Sequence, residues 1–334
     1  MIISWNTTQQ CNINCVHCYR DAGAKRTDEL STAEGKKLLS EIAKAGFKIM
    51  ILSGGEPMLR ADIYELITHA VSAGLRPVLG TNGILFTGDV PAKLKAAGLM
   101  CAGISVDSCD AERHDTFRGV KGAWQQTMAG IKACREAGLP FQIHTTVTNW
   151  NEQEVTDITD LAVELGAVAH HVFFLVPAGR GKDIEETTLK TNQYEAVLNR
   201  ILDKQATTAI EIKPTCAPQF MRIAKERGVP MRYTRGCLAG TAYCVILPNG
   251  DVQPCPYLPL KVGNVRETAF DIIWQTSQVF NELRNEPLKG GCGSCGFDNL
   301  CGGCRARAYF YSEGDYLAEE PWCSRGIREK SNKS

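Results

Sequence analysis

The stretch Cys11-Asn12-Ile13-Asn14-Cys15-Val16-His17-Cys18-Tyr19 follows a short apolar run at residues 2–5 and decides how the rest of the chain is read. Three thiolates can hold three irons of a four-iron cube and leave the fourth iron open to an outside ligand. A site with four cysteines is closed and only carries electrons. The gaps of three and then two residues differ from the plant ferredoxin run, whose first gap is about four. Two other readings stay open on the motif by itself: a zinc site with His17 as a fourth ligand, and three unrelated buried thiols.

Working outward, residues 1–185 alternate β-branched or apolar runs with longer amphipathic segments, the pattern of strand–helix units around a parallel sheet. Strands are expected at 2–5, 48–52, 77–80, 102–106, 141–147 and 170–176. Helices are expected at 32–45, 63–73, 92–97, 123–137 and 152–165, closed by Gly46, Gly74, Gly98, Gly138 and Gly166. Six repeats of one unit favour a partial barrel, although periodicity does not separate it from a doubly wound sheet. Residues 186–234 read as a helical bridge with helices at 192–205 and 218–227. Residues 235–334 hold eight cysteines, many glycines and short strands, a loop-rich metal-dependent module.

Composition narrows the function. The chain has 334 residues, 44% of them hydrophobic, and Lys plus Arg equals Asp plus Glu at 37 each. No global field marks a nucleic-acid binder, so a small substrate is favoured. No apolar run reaches the roughly 18 residues of a membrane span, and the opening residues lack the pattern of a secretory signal. A cytoplasmic protein is expected, with neither nucleic acid nor membrane as partner. Fifteen cysteines in such a protein point to metal rather than disulfides.

The Cys-x3-Cys-x2-Cys-aromatic loop after a first strand resembles the radical S-adenosylmethionine (SAM) superfamily. The resemblance implies a partial (β/α)6 TIM barrel followed by a small iron–sulfur module. It also implies an open iron that chelates S-adenosylmethionine, and one-electron cleavage to a 5′-deoxyadenosyl radical that abstracts hydrogen from substrate. Cofactor contacts should fall at the carboxyl ends of successive strands. Tyr19 would flank the adenine. Ser53-Gly54-Gly55-Glu56-Pro57 resembles the motif whose backbone and acidic side chain receive the methionine amino group. Thr81 and Asn82 follow the third strand, and Ser105 and Asp107 would face the ribose. Arg118 would meet the carboxylate; Thr146, and with less support Asn149, end the fifth strand. Gly179 and Arg180 would pack by the adenine.

The eight later cysteines resemble the SPASM extension of the same superfamily, which implies two further closed four-iron clusters, three in all. That resemblance assigns Cys237, Cys244, Cys255 and Cys304 to one cluster and Cys292, Cys295, Cys301 and Cys323 to the other. The gap between Cys301 and Cys304 is two residues where the family has three, so their sorting stays open, as does zinc on the two CxxC pairs. Cys101, Cys109, Cys134 and Cys216 read as core or spare thiols.

Cys301-Gly302-Gly303-Cys304-Arg305-Ala306-Arg307 and Gly314-Asp315-Tyr316 most resemble the branch acting in haem and haem d1 biosynthesis, as do Trp5-Asn6-Thr7-Thr8 and Cys18-Tyr19-Arg20-Asp21. The implied substrate is an iron tetrapyrrole that loses or decarboxylates acetate or propionate side chains, with a flavodoxin- or ferredoxin-type reductant. Arg305 and Arg307 would then be candidates for substrate carboxylates or for local structure. The alternatives are a peptide maturase and a noncatalytic iron–sulfur carrier.

Overall fold

A strand with alternating apolar residues can bury one face against helices and turn the other toward an interior. The computed structural model, which describes residues 1–325, contains seven such strands in chain order. They are β1 (Ile2–Asn6), β2 (Ile49–Ser53), β3 (Arg76–Thr81), β4 (Cys101–Ser105), β5 (Phe141–Val147), β6 (Ala169–Phe174) and β7 (Glu211–Thr215). The intervening helices are α1 (Thr32–Lys44), α2 (Ile63–Ser72), α3 (Val90–Ala96), α4 (Ala111–Arg118), α5 (Ala123–Ala137), α6 (Val155–Leu165) and α7 (Thr191–Gln205). Residues 326–334, the end of the module expected at 235–334, lie outside the described residues.

The seven strands pair parallel in sequential order. A doubly wound sheet reverses its strand order at a switch point. With no reversal here, the winding has one sense and the sheet curls as a partial TIM barrel.

The six expected strands form within two residues of their expected ends. Helix α4 was not expected, because Ala-Glu-Arg-His-Asp-Thr-Phe-Arg carries no apolar stripe. It is held by its ends: Asp110 accepts from Arg113 N at 2.8 Å, and Gly119 closes it in the left-handed region. Strand β7 lies inside the segment read as a helical bridge. Glu-Ile-Lys-Pro-Thr offers one buried apolar residue and a proline, a weak strand signal that is tolerated at a sheet edge.

After α8 (Gln219–Glu226), strand β8 (Tyr243–Ile246) pairs parallel with β1, and β9 (Asp251–Gln253) and β10 (Gly263–Asn264) continue antiparallel. The cysteine-rich module therefore extends the barrel's own sheet. Helices α9 (Phe270–Thr276), α10 (Gln278–Asn285), α11 (Gly290–Ser294) and α12 (Arg305–Tyr311) complete it.

The core lies between strands and helices. Ile3, Trp5, Met50, Leu52, Leu79, Ile104 and Ile143 pack with Leu38, Leu39, Ile42, Leu66 and Ile131. Strand residues of the other parity, among them Ser4, Ile51, Ser53, Gly80, Ser105, His144 and Thr146, line the interior. In α1 a Cβ on Gly35 would lie 2.5 Å from the Trp5 ring and 3.0 Å from Leu66. Alanine ordinarily favours a helix over glycine by about 1 kcal/mol. Here Gly35→Ala is expected to destabilise by about 1–3 kcal/mol, read as a lower midpoint in thermal unfolding followed by circular dichroism.

Candidate cluster and cofactor site

The Cys11–Cys18 loop crosses the carboxyl ends of the strands above a cavity of about 600 Å³. Backbone pairing seats it: Gly55 N donates to Thr8 O at 2.8 Å and Glu56 N to Gln10 O at 2.7 Å. A Cβ on Gly54 would meet Thr8 O at 2.4 Å, and one on Gly55 would meet Gln10 O at 2.1 Å. The two glycines thus admit the chain's own cysteine loop, a close approach that any side chain would block.

Cys11, Cys15, Cys18, Tyr19, Ser53, Gly54, Gly55, Thr81, Asn82, Ser105, Arg118, Thr146 and Arg180 all line this one cavity. Tyr19 tilts against Tyr257 of the later module with ring centroids 5.2 Å apart. Arg180 donates to Cys15 O and Ala22 O, each at 3.0 Å, and ties the loop after β6 to the cysteine loop. Gly179 is not among the lining residues; it packs against the Cys18–Tyr19 backbone, which a Cβ would meet at 2.5 Å. Asn149 caps the loop from Thr187 through its backbone and stays outside the cavity.

Glu56 and Asp107 are fully buried behind the wall. The Glu56 carboxylate accepts from Thr81 Oγ1 and Asn82 N at 2.9 Å and from Met58 N at 3.1 Å, which locks the ends of β2 and β3 together. Burial pushes its carboxyl up to about 7. Asp107 ion-pairs with Arg118 at 2.6 Å and accepts from Thr146 N at 2.8 Å. It faces Arg118 and the β5 backbone and, unlike Ser105, does not line the cavity. Arg118 also reaches Cys15 Sγ at 3.8 Å. Burial raises the Cys15 thiol and the guanidinium opposes that rise; Cys11, farther from it, is pushed up to about 11. His17 stacks on Phe117 at 4.0 Å.

A second set of thiols faces the same space. Cys216, Cys237, Cys255 and Cys304 all line the cavity. Burial raises the Cys216, Cys255 and Cys304 thiols, and neighbouring thiols of the set add to the rise. Cys244, expected in this set, is not with them. It sits fully buried on β8 opposite Ile3, among the core residues that face the helices. Strand alternation explains the placement, since its neighbour Tyr243 points into the cavity.

Cys216, read from sequence as a spare thiol, takes the expected place of Cys244. It follows β7 as Cys11 follows β1, so a strand-end argument would have found it had β7 been recognised. Its backbone is left-handed, with φ 59, a conformation that costs a non-glycine residue free energy and concentrates at functional sites.

The third set, Cys292, Cys295, Cys301 and Cys323, surrounds a separate small pocket. Cys301 therefore falls with this set and Cys304 with the second. Among the described residues no group of three or more His, Cys, Asp or Glu closes around a point as a single ion requires. Each set borders a space, which suits a cube whose corners each take one thiolate.

A buried ion pair binds these sets to the barrel. Arg307 donates to Glu320 at 2.7 and 2.9 Å, to Tyr194 Oη on α7 at 3.0 Å and to Cys216 O at 3.0 Å. Glu320 accepts from Cys304 N at 2.7 Å, and its own N–H points at Cys292 Sγ at 3.2 Å. Arg305 donates to Tyr316 O and Ala318 O and lies 3.7 Å from Cys292 Sγ. Both arginines are thus engaged in local structure and are not open to a substrate carboxylate.

The sequence pattern of the Radical SAM superfamily matches residues 5–162, and that of the SPASM iron–sulfur cluster-binding domain matches residues 237–296. The chain is 46% identical over 337 residues to the AdoMet-dependent heme synthase of Methanosarcina barkeri, covering 96% of this chain and 95% of that protein. It is 31% identical to the mycofactocin maturase of Mycolicibacterium smegmatis, covering 92% and 79%. Among solved structures, Streptococcus suis SuiB bound to S-adenosylmethionine superposes with a TM-score of 0.77 at 17% identity, over 97% of this chain and 77% of that one.

Two substitutions separate the thiols. After anaerobic reconstitution, Cys216→Ala is expected to lose the iron and sulfide of about one cluster, whereas Cys244→Ala keeps the wild-type content; elemental analysis with iron quantitation reads both. Glu320→Gln leaves Arg307 buried without its counter-charge and is expected to cost about 3–5 kcal/mol. The thermal midpoint should fall, and iron should be lost from both later sets.

Proposed function

From the premise that the chain belongs to the radical SAM superfamily and carries its SPASM extension, we propose that it oxidatively decarboxylates or removes carboxylate side chains of an iron tetrapyrrole in haem biosynthesis. The observation that carries this reading is one cavity that presents two thiol sets across a shared space of about 600 Å³. That volume lies in the range of sites that enclose a large ligand. The close similarity to heme synthases supports the substrate class.

Cys11, Cys15 and Cys18 would hold the cluster with the open iron. Cys216, Cys237, Cys255 and Cys304 would hold a second cluster, and Cys292, Cys295, Cys301 and Cys323 a third. When bound, the first cluster and S-adenosylmethionine supply one-electron cleavage to a hydrogen-abstracting adenosyl radical.

The chain's own residues prepare the site for that chemistry. Arg118, paired with Asp107 and close to Cys15, places positive charge beside the first thiol set. Glu56 fixes the ends of β2 and β3, so the Thr81 and Asn82 side chains stay on the cavity wall. Tyr19 and Tyr257 close the space between the first and second sets. In the substrate, hydrogen abstraction from the ring-attached carbon of a propionate, followed by loss of CO2, forms a carbon–carbon double bond and leaves one electron over. Cys216, Cys237, Cys255 and Cys304 would hold, beside the substrate space, a cluster able to take up an electron. A flavodoxin- or ferredoxin-type protein would reduce the first cluster, and the reducing cytoplasm is the compartment that suits fifteen free thiols.

The test is anaerobic turnover of the fully iron-loaded protein with S-adenosylmethionine, dithionite and an iron porphyrin bearing propionates. The expected products are 5′-deoxyadenosine and a tetrapyrrole lighter by CO2 and two hydrogens for each propionate converted, seen by mass spectrometry. Absence of 5′-deoxyadenosine at full iron loading refutes the enzyme and leaves an electron carrier. If 5′-deoxyadenosine forms but every tetrapyrrole keeps its mass, the substrate is a peptide, the reading that similarity to the mycofactocin maturase supports.

A further inference from the structure

Four polar side chains of the interior wall stand in one register row. Ser105 on β4 is opposite His144 on β5, His144 is opposite His171 on β6, and His171 is opposite Lys213 on β7. All four line the cavity. The imidazoles stack with centroids 5.2 Å apart and planes 7° apart. Gly103 lies directly against the first of them, since a Cβ there would stand 2.2 Å from the His144 ring. Burial holds both imidazoles below their ordinary range, His144 at about 4. They are neutral near pH 7, and Lys213 carries the charge of the row.

Of the other cations lining the cavity, Arg235 sits in the loop before Cys237, and the two beside the first thiol set are engaged. Arg118 pairs with Asp107, and Arg180 donates to two backbone carbonyls. Among the described residues Lys213 has no such carboxylate or carbonyl partner. Its ammonium lies 4.7 Å from the centre of the Tyr233 ring. The acid acting on it, Glu211, is bound to the Tyr233 hydroxyl. Burial lowers the Lys213 ammonium from its ordinary value. A largely buried cation costs free energy until an anion meets it, and this one opens onto the space assigned to substrate.

We infer that Lys213 determines specificity by pairing with a carboxylate of the substrate, which seats the macrocycle against the Ser105–His144–His171 row. This rests on the tetrapyrrole reading above. Lys213 acts as a positioning group: it orients one carboxylate so that another side chain meets the radical, and it takes no part in bond breaking.

The test measures equilibrium binding to the iron-loaded protein, by Soret absorbance, of two probes: an iron porphyrin with four propionates and its counterpart with ethyl groups in their place. Lys213→Met is expected to weaken the propionate porphyrin about ten-fold or more and leave the ethyl porphyrin unchanged. In turnover it raises KM more than it lowers kcat. Lys213→Arg restores affinity to within about three-fold, because the charge is kept.

Equal affinities of wild type and Lys213→Met for the propionate porphyrin, or equal losses for both porphyrins, overturn the inference while the tetrapyrrole reading stands. If the wild type binds neither porphyrin, that reading falls and the inference falls with it. Lys213→Gln carries the same comparison should the methionine variant lose iron.

Discussion

The Arg307–Glu320 ion pair, 0% and 1% exposed, is the contact on which the carboxyl-terminal half depends. Its two side chains meet α7 through Tyr194, the second thiol set through Cys216 O and Cys304 N, and the third through Cys292. Tyr194 and Trp322 lie under the guanidinium, with ring centres 4.9 and 4.5 Å away. A pair this deep gains little net stability over a packed apolar pair, yet loss of either member leaves a bare charge in the interior. Its contribution is therefore geometric: it sets where short loops rich in cysteine and glycine must run, loops that have little apolar core of their own.

The first half repeats the device on a smaller scale. Asp107 and Arg118 form the buried pair, α4 delivers the arginine, and the cysteine loop folds over it. Gly119 lets that helix end against the loop, because a Cβ there would meet Asn14 O at 2.6 Å. In the first half a carboxylate behind the wall aims a guanidinium at a cysteine sulfur, and in the second it aims one at a cysteine backbone carbonyl. Glu56 works without a cation, through donors from two strand ends. Glu56 and Asp107, which resemble cofactor contacts in sequence, also hold in place the neighbouring groups that face the cavity.

The sheet explains how distant cysteines share one space. Strand β8 pairs with the free edge of β1, which brings the later module beside the first loop, and β7 extends the opposite edge. Thiols that are 286 positions apart in the chain, Cys18 and Cys304, therefore line the same cavity. Gly80, on the cavity wall, contributes no side chain, and its partner Gly103 on β4 leaves the room that the His144 ring occupies.

The sequence by itself determined the barrel units, the three-thiol loop, the glycine pair after β2 and the presence of a cysteine-rich module, because each rests on local spacing or period that no distant contact can alter. It also sorted most of the later thiols, through resemblance. Only the tertiary structure decided which thiols complete the second set. Cys244 and Cys216 differ in which side of a strand or strand end they occupy, and a two-residue period has no direction until the sheet packs. The same holds for Lys213: a charged residue on a weak edge strand reads as solvent-facing until the curl of seven parallel strands turns it onto the cavity wall, beside two neutral imidazoles.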